Sequence, residues 1–414
     1  MIINPKILTL EEYSRVVEAK LSRKDFKIVS LKEARLEQRV GFLADHSRVL
    51  VEVELPDGQH QTHSFFAKAM PSNEICRDMI LENRCFQKEI FFYEQLSKLF
   101  DGVPLTAKTF PTCYLAKPEV LILDDLGPMG FAPVKSMVAA VDLEHSYQAI
   151  AALARFHCAS MAVEERLQKR LPDMFPEYMY EVLFPASGRT ETWWRMGLRA
   201  ARALLPLLPQ YKEDPGVLRR LQDKFDGLGD ALLKCFQADP RRRNVMCHGD
   251  AWISNFLFKQ NQGTPDHAVL LDFQLMRYAP PVYDVQLFLH KSLPHSADRA
   301  AQMEHLLQYY YARLQGELRA AGLDAEALLS EDEFRETSRD GARMASIVVA
   351  LYSQTCDMPA EFIDKLFADK DLYQKYMFEE RPEYVTKVFN TNKHFRCAMG
   401  NALGHLAKMV LADE

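Results

Sequence analysis

Three oxygen-bearing side chains stand at spacings suited to work on phosphates. His248-Gly249-Asp250-Ala251-Trp252-Ile253-Ser254-Asn255 offers a carboxylate and, five residues on, an amide, and Leu270-Leu271-Asp272-Phe273-Gln274 offers a second carboxylate. Between them, Asn255 to Phe258 and Ala268 to Phe273 read as short strands around a loop-like run from Lys259 to Pro265. An aspartate and an asparagine on one turn, with an aspartate at the next strand end, can converge on one Mg²⁺, a cation that takes hard oxygen ligands. Phosphoryl transfer needs little more from a protein than cations held against phosphates and an acceptor oxygen placed in line. The plain alternative makes Asp250 and Asn255 turn formers and Asp272 a strand cap, and it leaves three coincident spacings unexplained.

Such a site needs a cation for the phosphates, and Lys68 is the candidate. It lies on a predicted strand among Phe65, Phe66, Ala67, Ala69 and Met70, where an unpaired ammonium is costly to bury. Glu89 has the opposite problem, because it falls inside the apolar stripe Phe86, Ile90, Tyr93, Leu96 of a predicted helix over Asn83 to Phe100. A Lys68–Glu89 ion pair solves both, with Glu94 as the competing partner. Without it, Lys68 snorkels to solvent and Glu89 sits at the stripe's edge. The whole is the H-x-D-x4-N plus D-F-x arrangement of kinases.

The elements around these residues change character along the chain. Val49 to Leu55 alternates as a strand does, Asp57-Gly58 supplies a turn, and Ser64 to Lys68 returns as the partner strand. A short strand at Val120 to Leu123 runs into the connector Asp124-Asp125-Leu126-Gly127. Beyond it, helical periodicity dominates at 142–161, 191–208, 217–237, 297–321 and 334–355. The expectation is an α+β chain of two lobes: residues 1–125, with an antiparallel sheet and one main helix, and residues 126–414, mostly helical.

The residues His248-Gly249-Asp250, Trp252, Asn255, Phe256, Asp272-Phe273-Gln274 and Asp284 resemble the ecdysteroid kinase-like, or CHK kinase-like, family. This is a branch of the aminoglycoside phosphotransferase and choline kinase group, with a protein-kinase-like fold. Phe66-x-Lys68 before Pro71, the Phe86-x-x-Glu89-x-x-Phe92-Tyr93 helix, Leu123-Asp124-Asp125-Leu126 and Leu153-Ala154-x-Phe156-His157 extend the resemblance over roughly residues 40 to 290. It implies that Asp250 orients and partly deprotonates an acceptor hydroxyl, that Asn255 and Asp272 hold Mg²⁺, and that Lys68, steadied by Glu89, binds ATP phosphate. It also implies that the backbone of Asp124, Asp125 and Leu126 meets adenine. Asp284 is expected to brace the catalytic loop, His157 to be a satisfied core group and not a catalyst, and Gln274 to be a further polar group on the phosphate side.

Departures from protein kinases narrow the acceptor. A glycine-rich phosphate loop is reduced to Gly41 in Arg39 to His46, and Ala279-Pro280-Pro281 follows Gln274 too closely for a long peptide-docking segment. A small-molecule alcohol is therefore favoured. The resemblance implies a lipophilic one, either an ecdysteroid-like steroid or a hydroxylated foreign compound. The alternatives are a choline-like or amino-sugar acceptor, and a kinase-like protein that binds without turnover.

Composition excludes other classes. A net charge of −6 gives no broad positive field for nucleic acid. Eight scattered cysteines form no C-x-x-C pair, as expected of free thiols in the cytoplasm. No run of about 18 apolar residues suggests a membrane span, and no obligate partner is evident. His60-x-x-His63 puts its rings on opposite faces of a strand, and Arg241-Arg242-Arg243 reads as a solvated loop.

Overall fold

Alternation of apolar and polar residues builds the sheet that carries Lys68. Strands β1 (Lys27–Arg35), β2 (Asp45–Glu54), β3 (His60–Ala69), β4 (Cys113–Lys117) and β5 (Val120–Asp124) lie antiparallel in the order β1-β2-β3-β5-β4. Gly58 takes φ +79° in the turn between β2 and β3, a conformation that costs glycine little. Leu31, Val49, Val51, Val53, Phe65, Ala67, Val120 and Ile122 bury one face against Tyr13, Val16 and Val17 of the helix Leu10–Leu21. Each large side chain so buried contributes about 1.5–3 kcal/mol. The alternation that sends Ala67 to this core sends its neighbour Lys68 to the other face.

The structure, a computed structural model, describes residues 6–36, 44–134 and 141–412. The chain divides into two compact units, Met1–Val103 with Ala107–Val134 and Ser254–Gln274, and Pro104–Thr106 with Lys135–Ile253 and Leu275–Glu414. Besides the sheet, the first unit holds the helices Glu74–Asn83 and Cys85–Phe91, the latter continued by a π-turn at Phe92–Leu96. Only the second of these helices is expected from the sequence. Asn73 caps the first by accepting from the Cys76 N–H, and Arg84, at φ +56°, separates the two. The hairpin Phe256–Asn261 with Thr264–Leu270 also belongs to this unit. Its strands run into what reads as a seven-residue loop, and the turn is made by Gln262 and Gly263, both at positive φ.

The second unit is helical. Its longest helices are Leu143–Leu167, Arg299–Ala320, Glu331–Cys356 and Lys393–Ala412, and the expected helix over 217–237 breaks at Gly227 into Pro215–Asp226 and Leu228–Cys235. Val245–Cys247 pairs antiparallel with Arg277–Ala279, which brackets the His248 to Asp250 turn. Arg243 corrects the reading of a solvated loop. It is 7% exposed, with Nη1 3.0 Å from Glu165 and Nη2 3.4 Å from Glu164. The α+β class, with antiparallel sheet early in the chain and helices later, is as the sequence predicts. Among the described residues no helix is long and apolar enough to cross a membrane.

Candidate active site

In the first unit, β3 and the helix Cys85–Phe91 present opposite charges to one another. Lys68 Nζ lies 2.5 Å from Glu89 Oε2 and 2.7 Å from Asp272 Oδ1, with Lys68 5% and Glu89 1% exposed. Glu94, the competing partner, is exposed. Phe92 aligns the helix by stacking on Phe273 at 3.6 Å between centroids, with Tyr93 and Phe110 edge-on to the same ring. The neighbour of Asp272 thus fixes the helix that carries Glu89.

Two carboxylates around one ammonium leave a negative balance. Burial works against the Lys68 charge, yet Asp272 and Glu89 hold its pKa above the ordinary value. Burial lifts Glu89 to about 7, against the pull of Lys68 and with the help of the Asp272 charge. Asp272 itself sits at φ +66°, a backbone state that costs a non-glycine residue of order 1–3 kcal/mol and collects at functional positions. Gln274 Nε2 donates to Asp272 Oδ2 at 3.2 Å, while its Oε1 is buried without a hydrogen-bond partner among the described residues. An orphaned amide oxygen beside a carboxylate in a cluster with excess negative charge is a donor set that fits a hard divalent cation.

Asn255 opens the hairpin of the same unit; it is 7% exposed, and its carbonyl accepts from the Leu271 N–H at 2.9 Å, which ties the hairpin's two ends together next to Asp272. Asp124 and Asp125 follow β5 with their side chains committed elsewhere. Asp124 meets Lys20 at 2.5 Å, and Asp125 accepts from Arg48 at 2.8 Å and from Ser64 at 2.5 Å. The Leu126 carbonyl accepts from the N–H groups of Met129 and Phe131. Gly41 lies outside the described residues. His46, which the sequence did not single out, pairs with Lys68 across β2 and β3. Burial and the Lys68 charge push its pKa down to about 4.

In the second unit the His248 to Asp250 turn is held by its backbone. Asp284 accepts from the N–H of His248 at 2.5 Å, from that of Gly249 at 2.9 Å, and lies 3.0 Å from His157 Nε2. His157 Nδ1 is in turn 2.7 Å from the Tyr310 hydroxyl. Burial pushes the Asp284 carboxyl up, but His157 and the turn's N–H groups outweigh it and hold the pKa below the ordinary value. Gly249 has φ +81°, and a Cβ there would stand 1.9 Å from the Leu275 carbonyl oxygen, so no other residue fits. Asp250 is 9% exposed, and its Oδ1 accepts from the Tyr352 hydroxyl at 3.1 Å. Burial, with the Asp250 charge added, raises the Tyr352 pKa well above its usual value, so the phenol keeps its proton and donates. Tyr352 lies 102 residues from Asp250 on an ordinary amphipathic helix, and no signal in the sequence marks it.

Among solved structures the chain is similar to an ethanolamine kinase of Plasmodium vivax, 11% identical over 98% of this chain and 90% of that one, with a TM-score of 0.43. It is also similar to a putative aminoglycoside phosphotransferase of Ralstonia eutropha, 10% identical over 97% of each chain at a TM-score of 0.43. A third is an aminoglycoside phosphotransferase of Streptomyces rimosus in complex with ADP and streptomycin, 15% identical over 65% of this chain and 88% of that one at 0.31. No curated protein sequence matches it. Residues 40–323, a span that includes Lys68, Glu89, Asp250, Asn255, Asp272 and Asp284, match the ecdysteroid kinase-like family. With more than half of its length so matched, the chain belongs to the ecdysteroid kinase-like family.

Proposed function

We propose that this chain is an ATP- and Mg²⁺-dependent kinase that phosphorylates a hydroxyl of a lipophilic small-molecule alcohol. The observation that carries the reading is the cluster Lys68, Glu89, Asp272, where one ammonium serves two carboxylates beside the orphaned Gln274 oxygen. Asp272, Asn255 and Gln274 Oε1 would hold the metal, and Lys68 would meet the nucleotide phosphates. Bound there, Mg²⁺ would supply positive charge to the phosphates as the γ-phosphoryl group passes to the acceptor oxygen and ADP leaves. The Leu126 carbonyl is already engaged, so donation from its N–H is what it can offer adenine.

On the acceptor side, Asp250 takes the proton of the attacking hydroxyl, and Tyr352 steadies the carboxylate while it does so. Asp284 fixes the height and tilt of the turn through two backbone N–H groups. In support of a neutral acceptor, two carboxylates of the second unit are already paired. Lys291 and Asp357 are paired at 3.0 Å, and Glu181 is paired with Arg277 at 3.3 Å. A cationic head group would have to compete with those partners for each carboxylate.

The test is ADP release across a panel of steroid alcohols, hydroxylated aromatics, choline and amino sugars, with Mg²⁺ADP-induced thermal stabilisation measured in parallel. The reading expects turnover with a neutral lipophilic alcohol, and an Asp250→Asn variant that is stabilised by Mg²⁺ADP as much as the parent but releases no ADP. Turnover confined to choline or an amino sugar selects the cationic acceptor. Stabilisation without turnover on any acceptor selects a silent binder. Full activity in Asp250→Asn removes the proposed base.

A further inference from the structure

Away from the residues considered so far, the second unit holds a cavity of about 490 Å³ between the C-terminal helix Lys393–Ala412 and the corner at Leu207 to Gln210. That volume is in the range of small-molecule sites. Its titratable side chains are His295, Arg396, His405 and Lys408, besides the thiol of Cys397, and among the described residues no carboxylate lines it. Arg396 and Lys408 have no ion-pair partner among the described residues, whereas Arg242, Arg243 and Lys291 of the same unit each have one. Arg396 is held in place, since its Nη1 donates to the carbonyls of Phe389 at 3.1 Å and Asn390 at 3.0 Å. Leu207, Leu208 and Phe389 supply an apolar wall.

Two glycines open the floor. Gly400 and Gly404 are one turn apart on the helix and therefore share a face. Neither has a positive φ, a Cβ at Gly400 would meet nothing within 4 Å, and one at Gly404 would meet only the end of the Gln210 side chain at 3.0 Å. Packing does not require glycine at Gly400, and each glycine inside a helix costs about 1 kcal/mol against alanine. What the two residues provide is space.

We propose that this cavity binds an anionic small molecule of the phosphate-monoester type, with its charge on Arg396, Lys408 and His405 and its organic part on the apolar wall. One held guanidinium, one ammonium and one protonatable ring suit a dianion. The volume and the wall suit an organic ester better than inorganic phosphate. This site is independent of the kinase reading and of Asp250.

The imidazole pair gives the site a pH response. His290 Nδ1 is 2.8 Å from the Gln286 carbonyl, which can only accept, and His290 Nε2 is 3.1 Å from His405 Nε2. Burial pushes His290 down to about 3, so it is neutral, its Nε2 accepts, and His405 Nε2–H donates. A proton added to His405 therefore goes on Nδ1. The charged groups facing His405 are Arg299 and Lys408, and burial together with these two cations lowers its pKa. His295 feels Arg299, His405, Lys291 and, with the opposite sign, Asp357. An anion in the cavity reverses the balance at His405, so binding takes up a proton and strengthens as pH falls toward about 6, where the ester itself loses its second charge.

Phenyl phosphate is a suitable probe, added to the full-length chain with labelled histidines and followed by NMR, with His405 assigned by His405→Gln. The expected result is a saturable shift of the His405 ring signals, a rise in its pKa, and affinity reduced by about tenfold or more in Arg396→Ala/Lys408→Ala. Gly400→Leu fills the floor, favours helix and keeps every charge, and it should abolish saturable binding without loss of stability. The proposal is overturned if His405 does not respond saturably, if Gly400→Leu binds phenyl phosphate as the parent does, or if inorganic phosphate at equal ionic strength binds equally well.

Discussion

Replacing Glu89 with glutamine should change how stability depends on pH far more than it changes the fold. Glu89 is 1% exposed, and its carboxyl is lifted from 4.5 to about 7 by burial and by the Asp272 charge, with Lys68 pulling the other way. A carboxyl whose folded pKa lies above its unfolded one binds an extra proton only when folded. Stability therefore falls as pH rises between the two values, by about 1.4 kcal/mol per unit. Over that window the loss amounts to about 3 kcal/mol at full titration. Glu89→Gln removes the titrating group while Asp272 still partners Lys68 at 2.7 Å.

The measurement is urea unfolding of parent and variant at matched ionic strength from pH 5 to 8, taken as a difference at each pH so that other titrations cancel. The variant should gain on the parent across this range, by about 2–3 kcal/mol in all, and the gain should level off above pH 7. Catalysis should move the other way, because Lys68 loses the partner that aims it. A difference that stays flat across the range would show that Glu89 takes up no extra proton on folding and that burial does not lift its carboxyl. The same difference should shrink when Mg²⁺ADP is present, since added positive charge beside Asp272 lowers the cost of the Glu89 anion.

Gly249→Ala combines a left-handed backbone, roughly 1–2 kcal/mol for a residue with a Cβ, with a contact at 1.9 Å that forces the turn away from Leu275. We expect about 3 kcal/mol or more of lost stability and no measurable ADP release. Near-parent unfolding would mean that the turn relaxes at no cost. Tyr352→Phe removes one hydrogen bond to a carboxylate and little volume. Its kcat should fall by roughly tenfold to a hundredfold while KM for ATP and the stabilisation by Mg²⁺ADP stay as in the parent. Unchanged kcat would show that Asp250 needs no such support.

What could be read from the sequence depended on whether a residue's partner was implied by local pattern. Lys68 and Glu89 could be matched because each is a charge in an apolar run, and burying either alone is costly enough to demand the other. The β2–β3 hairpin followed from its alternation and Asp57-Gly58. The helix Glu74–Asn83 was missed although Asn73 marks its start, because the break that ends it falls at Arg84, a residue with no turn signature. Arg243 was misread because Glu164 and Glu165 reach it from a helix some eighty residues earlier in the chain.

The candidate residues of each unit divide in the same way. Asp250, Asn255 and Asp272 stand close in sequence, so their spacing is legible there. Their supports come from afar: Asp284 and His157 under the turn, Tyr352 beside the carboxylate, Phe92 against Phe273. Each support fixes orientation and carries no chemistry of its own, so each can be changed conservatively while the reacting groups remain. Asp284→Asn makes this concrete, because the amide keeps one acceptor oxygen for two N–H groups and a histidine, and the negative charge that favours all three is gone. Asp250 would then be present but no longer held at a fixed height, and turnover should fall while Mg²⁺ADP still stabilises the chain. Loss of nucleotide binding in Asp284→Asn would instead show that the turn and the Lys68–Glu89–Asp272 cluster fold as one piece.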